Sequence, residues 1–411
     1  METAPPSDVL KKIEPLSDYS LGGYHPVHIG DQLKDGQYTI VNKLGWGAYS
    51  TVWLATDASS NGACVVVSIS KAITADAYRN DLMAKMEYLK TGDDNHPGKK
   101  NLLFPMDSFS LGGPNGQHFC LVMEFEGQTV SRATNRAQGA ATRPLPLAHA
   151  KKAVLDLGNG IHYMHTLKMT HNDLHPANLF LGIPSDQPWS LDKFESVCGP
   201  PKLIKTSDIP DTPKSEHAPN YVVIDALTHD VDRDLFPGPF KIADFGLAFH
   251  WGEKHPKMAT NGPYIVPEQN APGDISSVAD VWMFGCAIYQ FLSGFDLMGT
   301  LNDPSLKMLH QMMDVLGRPP EWMLASWKAM HGEEIRVIEE PTWSLAARVR
   351  EIREGNADIG MKPRQEDFSE DDVAVLTDLL SYMMHFEPSA RPTIEQVLAH
   401  PSMEFFRRGH S

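Results

Sequence analysis

From Gln37 onward the chain holds three strand-like runs in succession, YTIVNKLG, STVWLAT and ACVVVSIS, with only glycine and Asn-Gly punctuation between them. Connections that short cannot carry a crossover, so the runs must pair as an antiparallel meander. Residues 75–90 (ADAYRNDLMAKMEYLK) are helix-forming, and HFCLVMEFEG at 118–127 returns to strand before a glycine. After that the chain becomes mainly helical. In 148–167, Val154, Leu157, Ile161 and Met164 recur on one face, the spacing of a helix that looks into a core. Strands gathered first and helices after them predict an α+β chain.

With 411 residues, 42% of them apolar and 21% charged, the chain is long enough for two packed lobes or two to three domains. Residues 183–238 break the pattern: IPSDQPWS, CGPPKL, DIPDTPKSEHAPN and LFPGPF are rich in Pro, Ser, Asp and Lys. They read as an insertion lying outside the main core, ordered in part around YVVIDAL. The first 30 residues lack the apolar centre of a signal peptide and no apolar run reaches a membrane-spanning length, which predicts a soluble, intracellular chain. Cys64, Cys120, Cys198 and Cys286 show no CxxC spacing, so they are expected as reduced, mostly buried thiols. A formal net charge of −16 argues against a general nucleic-acid binder and suits a basic peptide partner as well as plain solubility.

Three motifs carry chemistry. LGWGAYSTVW at 44–53 places Gly45 and Gly47 between two strand runs, where backbone amides can approach phosphate oxygens unobstructed. HNDLHPANLFL at 171–181 supplies Asp173 and, five residues on, Asn178: a carboxylate that can take a proton from a hydroxyl, and an amide oxygen that can ligate magnesium. KIADFGLA at 241–248 places Asp244 after a strand and before Phe-Gly, as a hard oxygen ligand of phosphate-bound magnesium must be placed. A lone GxG also fits an ordinary hairpin, and either aspartate alone also fits a cap or turn. Their order along the chain is what selects the chemical reading.

With that ordered set the sequence resembles the eukaryotic protein kinase family over about residues 37–402. IVPEQ around Glu268, VADVWMFGC around Asp280 and Trp282, and RPTIEQVLAHP from Arg391 extend the likeness, and look structural. GGYHPVHIGD at 22–31 followed by LGWGAYSTVWL narrows it to the SR-protein kinase group, whose members phosphorylate serines in Arg-Ser tracts; the long insertion ending in NYVVIDAL is similar to that of fungal members. The resemblance implies a two-lobed fold, with an antiparallel β-rich N-lobe holding one main helix and a larger, mainly α-helical C-lobe. Its expected boundaries are an extension at 1–20, the N-lobe at 21–124, the C-lobe at 125–405 including 183–238, and a tail at 406–411. ATP and Mg2+ are the implied cofactors. Leu44, Gly45, Gly47, Val52 and Val66 would enclose the nucleotide, Met123 would be the gatekeeper, and the backbone from Glu124 to Glu126 would bond the base. Asp173 would be the catalytic base, with Asn178 and Asp244 on the metal. The implied partner is a protein substrate, with no direct nucleic-acid or membrane partner, for a monomer of cytoplasm or nucleus.

The sequence departs from the family at its phosphate-binding cations. Aligning CVVVSI onto the strand motif puts Ser68 where the family carries lysine, while an ungapped count from Gly45 puts Val67 there. Lys71 is three residues beyond Ser68, on the opposite strand face by parity, and is expected as a solvated surface charge. Lys85 stands where the family's helix glutamate is expected, and its ammonium is a candidate to neutralise phosphate from the helix, beside the alternative of an exposed lysine. His175 replaces the lysine that contacts the transferred phosphate. NDPSLKMLHQMMDVLG at 302–317, where the group carries acidic docking residues, keeps Asp314 but has Lys307 in place of a carboxylate. The segment from Asp244 to Glu268 offers Thr260 and Tyr264 as hydroxyls. Three readings follow: a serine/threonine kinase, a pseudokinase scaffold with degraded phosphate contacts at Ser68, Lys85 and His175, and a small-molecule phosphotransferase suggested by HNDLHPAN alone.

Overall fold

A computed structural model describes residues 13–73, 76–134, 143–209, 215–226, 231–253, 262–270, 275–298, 304–332, 334–341, 343–364 and 367–408. Thr260 lies outside them. The chain divides into two compact units: a β-rich unit of the chain up to Lys90, Leu103–Gln128 and Gly182–Gly238, and a helical unit of Thr91–Leu102, Thr129–Leu181 and the chain from Pro239.

The β-rich unit is built on one antiparallel sheet of β1 (Gln32–Leu33), β2 (Tyr38–Trp46), β3 (Ser50–Asp57), β4 (Ala63–Ser70), β5 (Pro105–Gly113) and β6 (Gly116–Glu124), in spatial order β1-β2-β3-β4-β6-β5. Alternation along β4 sets its two faces. Val65, Val67 and Ile69 join Trp53, Ala55, Cys120 and Val122 in a buried cluster, so Val66 and Ser68 face the other way. The expected helix spans Asp76–Lys90.

Two expectations need correcting here. The Pro-rich segment does not lie outside the core: Gly182–Gly238 belongs to the β-rich unit, and not to the helical lobe. Val223 is fully buried in the sheet cluster, and Tyr221 packs against it and accepts a hydrogen bond from the Ile29 N–H (2.9 Å). The Trp189 carbonyl accepts from the Cys64 N–H (2.9 Å), and the Trp189 ring stacks on Phe236. A few dispersed apolar residues thus anchor a segment whose average composition is polar. The N-terminal extension is likewise part of this unit from Ile13 onward, since Ile13, Glu14 and Tyr19 are buried. Glu14 forms an ion pair with Lys43 in which both side chains are almost wholly removed from solvent.

The helical unit centres on helices Leu147–Thr166 and Val278–Ser293. Val154, Leu157, Ile161 and Met164 are all buried, as their spacing requires. The second helix is apolar nearly all round and buried nearly all round. Capping boxes at Ser369 with Asp372 and at Thr393 with Gln396 fix the starts of two later helices. Arg391 makes a two-pronged pair with Glu268 (2.8 and 2.6 Å) and lies over the Trp282 ring. Three of the cysteines are buried and Cys198 is half-buried. Among the described residues, no helix is long and apolar enough to cross a membrane.

Candidate active site

In the helical unit, two short strand pairs frame the chemistry. Met169–Thr170 pairs with Phe249–His250, and Leu179–Phe180 pairs with Lys241–Ile242. The loop with Asp173 and the turn with Asp244 are therefore suspended between the same pairs. The loop is anchored by the buried Asp280 carboxylate, which accepts from the N–H groups of His171 and Asn172 (2.9 Å each) and lies 2.9 Å from His165 Nε2. These bonds hold Asn172 at φ 68°, a left-handed conformation that a non-glycine residue keeps only when its surroundings impose it.

His171 ties the two halves together. Its Nδ1 accepts from the Asp173 N–H (3.2 Å), so Nε2 carries the proton and donates to the Ala243 carbonyl (3.1 Å), one residue before Asp244. The Ala243 N–H in turn donates to the Asn178 carbonyl (2.9 Å). Asp244 is also left-handed, at φ 64°, which turns its carboxylate outward while Phe245 is buried edge-on to His171.

Asp173 and Asn178 touch directly. Asn178 Nδ2 donates to the Asp173 carbonyl (3.0 Å) and to its carboxylate Oδ2 (3.1 Å), which leaves Oδ1 as the acceptor end of that amide. One carboxylate and one amide oxygen suit magnesium, which keeps waters and takes phosphate oxygens for its other ligands. Among the described residues no group of three or more His, Cys, Asp or Glu converges, and a nucleotide-bound ion of this kind needs none. His175 caps the short turn Pro176–Asn178 through Nδ1, and its Nε2 lies 3.5 Å from Asp173 Oδ2. Tyr264 is buried with its hydroxyl bonded to Gln290, a packing position.

In the β-rich unit, the register sets which residues of β4 stand opposite which neighbours. Ser68 lies opposite Val52 on β3 and Leu121 on β6, and Val66 lies opposite Met123. Val67 faces the core and is fully buried, so Ser68 and not Val67 shares the opposite face of β4 with Val66. Gly45 pairs with Val52 in the ladder, and Gly47 sits in the exposed turn between β2 and β3. Leu44 is buried, and Glu124 pairs with Val65 at the end of β6. The buried Glu126 carboxylate accepts the Ile183 N–H (2.6 Å), an additional tie to the Pro-rich segment.

Both lysines are engaged by carboxylates. Lys71 is not solvated: its ammonium bonds Asp18 (2.7 Å) and lies 4.3 Å from the centre of the Tyr24 ring. Lys85 is mostly buried and bonds Asp81 (2.5 Å), one turn earlier on its own helix. The sequence reading missed two further residues. His171 acts through partners 2 and 72 residues away, and Tyr24 donates its hydroxyl to the Gly47 carbonyl (2.6 Å) across 23 residues. No local pattern signals either contact.

A family model described as protein kinase domain matches residues 38–189 and 226–403. The chain is 29% identical to a serine/threonine-protein kinase SRPK of Physarum polycephalum, over 95% of this chain and 91% of that protein. It is 34% identical to protein kinase dsk1 of Schizosaccharomyces pombe over 42% of this chain and 31% of that protein, and 34% identical to human SRSF protein kinase 3 over 41% and 29%. A crystal structure of a kinase domain superposes with a TM-score of 0.58 at 16% identity, covering 92% of this chain and 98% of that one, which supports the fold alone.

Proposed function

Because the chain belongs to the protein kinase domain family, with ATP as its phosphoryl donor, we propose that it is an active serine/threonine kinase that phosphorylates Arg-Ser-rich protein segments despite Ser68. The observation that carries this reading is the intact set of Asp173, Asn178 and Asp244, held by Asp280 and His171. Asp173 orients the substrate hydroxyl and takes its proton as the oxygen bonds to the γ-phosphorus and the bond to the leaving ADP oxygen breaks. Mg2+ on Asn178 Oδ1 and the Asp244 carboxylate would supply positive charge to the phosphate oxygens. Asn178 also holds the Asp173 carboxylate in place through its Nδ2. Leu44, Gly45, Gly47, Val52 and Val66 enclose the nucleotide, and the backbone from Glu124 to Glu126 bonds the base. Lys85 is the weaker candidate for a phosphate cation, because Asp81 already engages it. The relatives support the substrate class, since one of them is human SRSF protein kinase 3. A monomer of cytoplasm or nucleus belongs to the same proposal.

The test is transfer of labelled phosphate from Mg-ATP to an Arg-Ser repeat peptide by the natural chain, Asp173→Asn and Ser68→Lys. Transfer by the natural chain should fall by about 10³-fold or more in Asp173→Asn. Ser68→Lys should raise kcat by up to about 10²- to 10³-fold, because one preorganised electrostatic contact is worth about that much. No transfer by the natural chain, with signal only in Ser68→Lys, would establish the scaffold reading that the missing lysine favours.

A further inference from the structure

Tyr24 sits in LGGYHP, a stretch shaped by its glycines. Gly22 has φ 83°, and a Cβ on Gly23 would lie 1.8 Å from the Asp18 carbonyl oxygen, so the chain can fold back there only without a side chain. The Tyr24 N–H then donates to the Asp18 carbonyl (2.9 Å), and Asn115 Nδ2 donates to the Tyr24 carbonyl (2.5 Å). Bonds from the Ala72 N–H to the Gly23 carbonyl (3.1 Å) and from the Ile73 N–H to the Gly22 carbonyl (2.8 Å) fasten this turn to the exit of β4. The tyrosine is buried, with the Lys71 ammonium over its ring. Its position is thus determined on every side before it reaches the glycine loop.

Its hydroxyl donates to the Gly47 carbonyl (2.6 Å), while the Gly47 N–H donates to the Ser50 carbonyl (2.9 Å) and the Lys71 N–H to the Tyr49 carbonyl (2.7 Å). In a planar trans peptide the carbonyl and the following N–H point in opposite directions. A Gly47 carbonyl drawn towards Tyr24 therefore sends the Ala48 N–H away from it, as a donor that no side chain at Gly47 obstructs. Building on the kinase reading above, we infer that Tyr24 is a positioning residue for nucleotide phosphate: it fixes the Gly47–Ala48 peptide so that the Ala48 amide is presented to a phosphate oxygen. With serine at position 68, loop amides carry more of the phosphate binding than they would beside a strand lysine, so their orientation matters more.

Calorimetric titration of Mg-ATP and of adenosine into the natural chain, Tyr24→Phe and Tyr38→Phe tests this. Tyr38 supplies a second buried hydroxyl in the same unit, bonded to Asp107 (2.7 Å), as a control. Tyr24→Phe keeps the ring over Lys71 and should weaken Mg-ATP about fivefold, the value of one hydrogen bond, with adenosine binding unchanged. Tyr38→Phe should leave both affinities unchanged. Equal Mg-ATP affinity in Tyr24→Phe and the natural chain would overturn the inference, as would an equal loss for adenosine, which marks general damage. Hydrogen exchange of the natural chain supplies a measurement free of any variant: Mg-ATP should slow exchange at the Ala48 amide and adenosine should not, and no slowing overturns the inference. A natural chain that binds no Mg-ATP at all overturns the kinase reading itself, which sets that failure apart.

Discussion

At the scale of single residues, charge placement decides more than residue identity. Asp173, Asn178 and Asp244 could be singled out in the sequence because the chemistry expected of them depends on types at fixed spacing, and the fold brings Asn178 onto Asp173. Asp296 shows the opposite case. No motif singles it out, yet burial pushes its carboxyl up to about 6 from an ordinary value of 3.8, with Arg348 pulling part of the way back. A raised carboxyl contributes stability that is full below pH 4 and is lost as pH climbs through about 6, so at neutral pH the buried charge works against the fold. Asp296→Asn should therefore raise the melting temperature at pH 7.5, by an amount corresponding to about 2–3 kcal/mol, and do much less at pH 4. Melts of both chains at the two pH values check this, and an equal difference at both would refute it. His171 and Tyr24 were illegible for a related reason, because each acts through a partner that only the folded chain brings near.

At the scale of elements, periodicity was a reliable guide wherever one face is buried and one is not. The β2 to β4 meander, the helix Asp76–Lys90 and the helix Leu147–Thr166 all follow from it. The parity of β4 also puts Ser68 and Val67 on opposite faces, with the burial of Val67 fixing which face is the core. Periodicity failed at Gly182–Gly238, because anchoring there rests on isolated apolar residues and not on a repeated face. Val223 and Leu203 make the difference measurable. They are paired across the short ladder of Leu203–Lys205 with Tyr221–Val223, but Val223 is fully buried and Leu203 is 51% exposed. Val223→Ala should cost about 1–3 kcal/mol through the lost contacts and the cavity, and Leu203→Ala less than about 0.5 kcal/mol. Urea titration of the two variants reads both values. Equal, small losses would return the segment to the surface role that its composition suggested.

At the scale of the whole molecule, the field of 52 acidic against 36 basic side chains acts on anything that approaches. A basic peptide gains from that field at long range, while a nucleotide, itself an anion, must be held by local contacts that outweigh it. The two substrates should therefore respond differently to salt. Exposed charges are screened over about 8 Å at physiological ionic strength and about 3 Å at 1 M. Raising sodium chloride from about 50 to about 300 mM should increase KM for an Arg-Ser peptide several-fold, through slower and weaker encounter, with a much smaller change in KM for ATP. A serine peptide in which the arginines are replaced by glutamine should lose this salt response and start from the higher KM. Asp314 lies half-buried in the helix Pro304–Leu316, with its carbonyl accepting from the Trp343 N–H, so one retained carboxylate is a thin basis for local docking. If KM for the arginine peptide proved flat in salt, recognition would have to come from short-range pairing at such a position. Charge distributed over the molecule predicts the steep response instead.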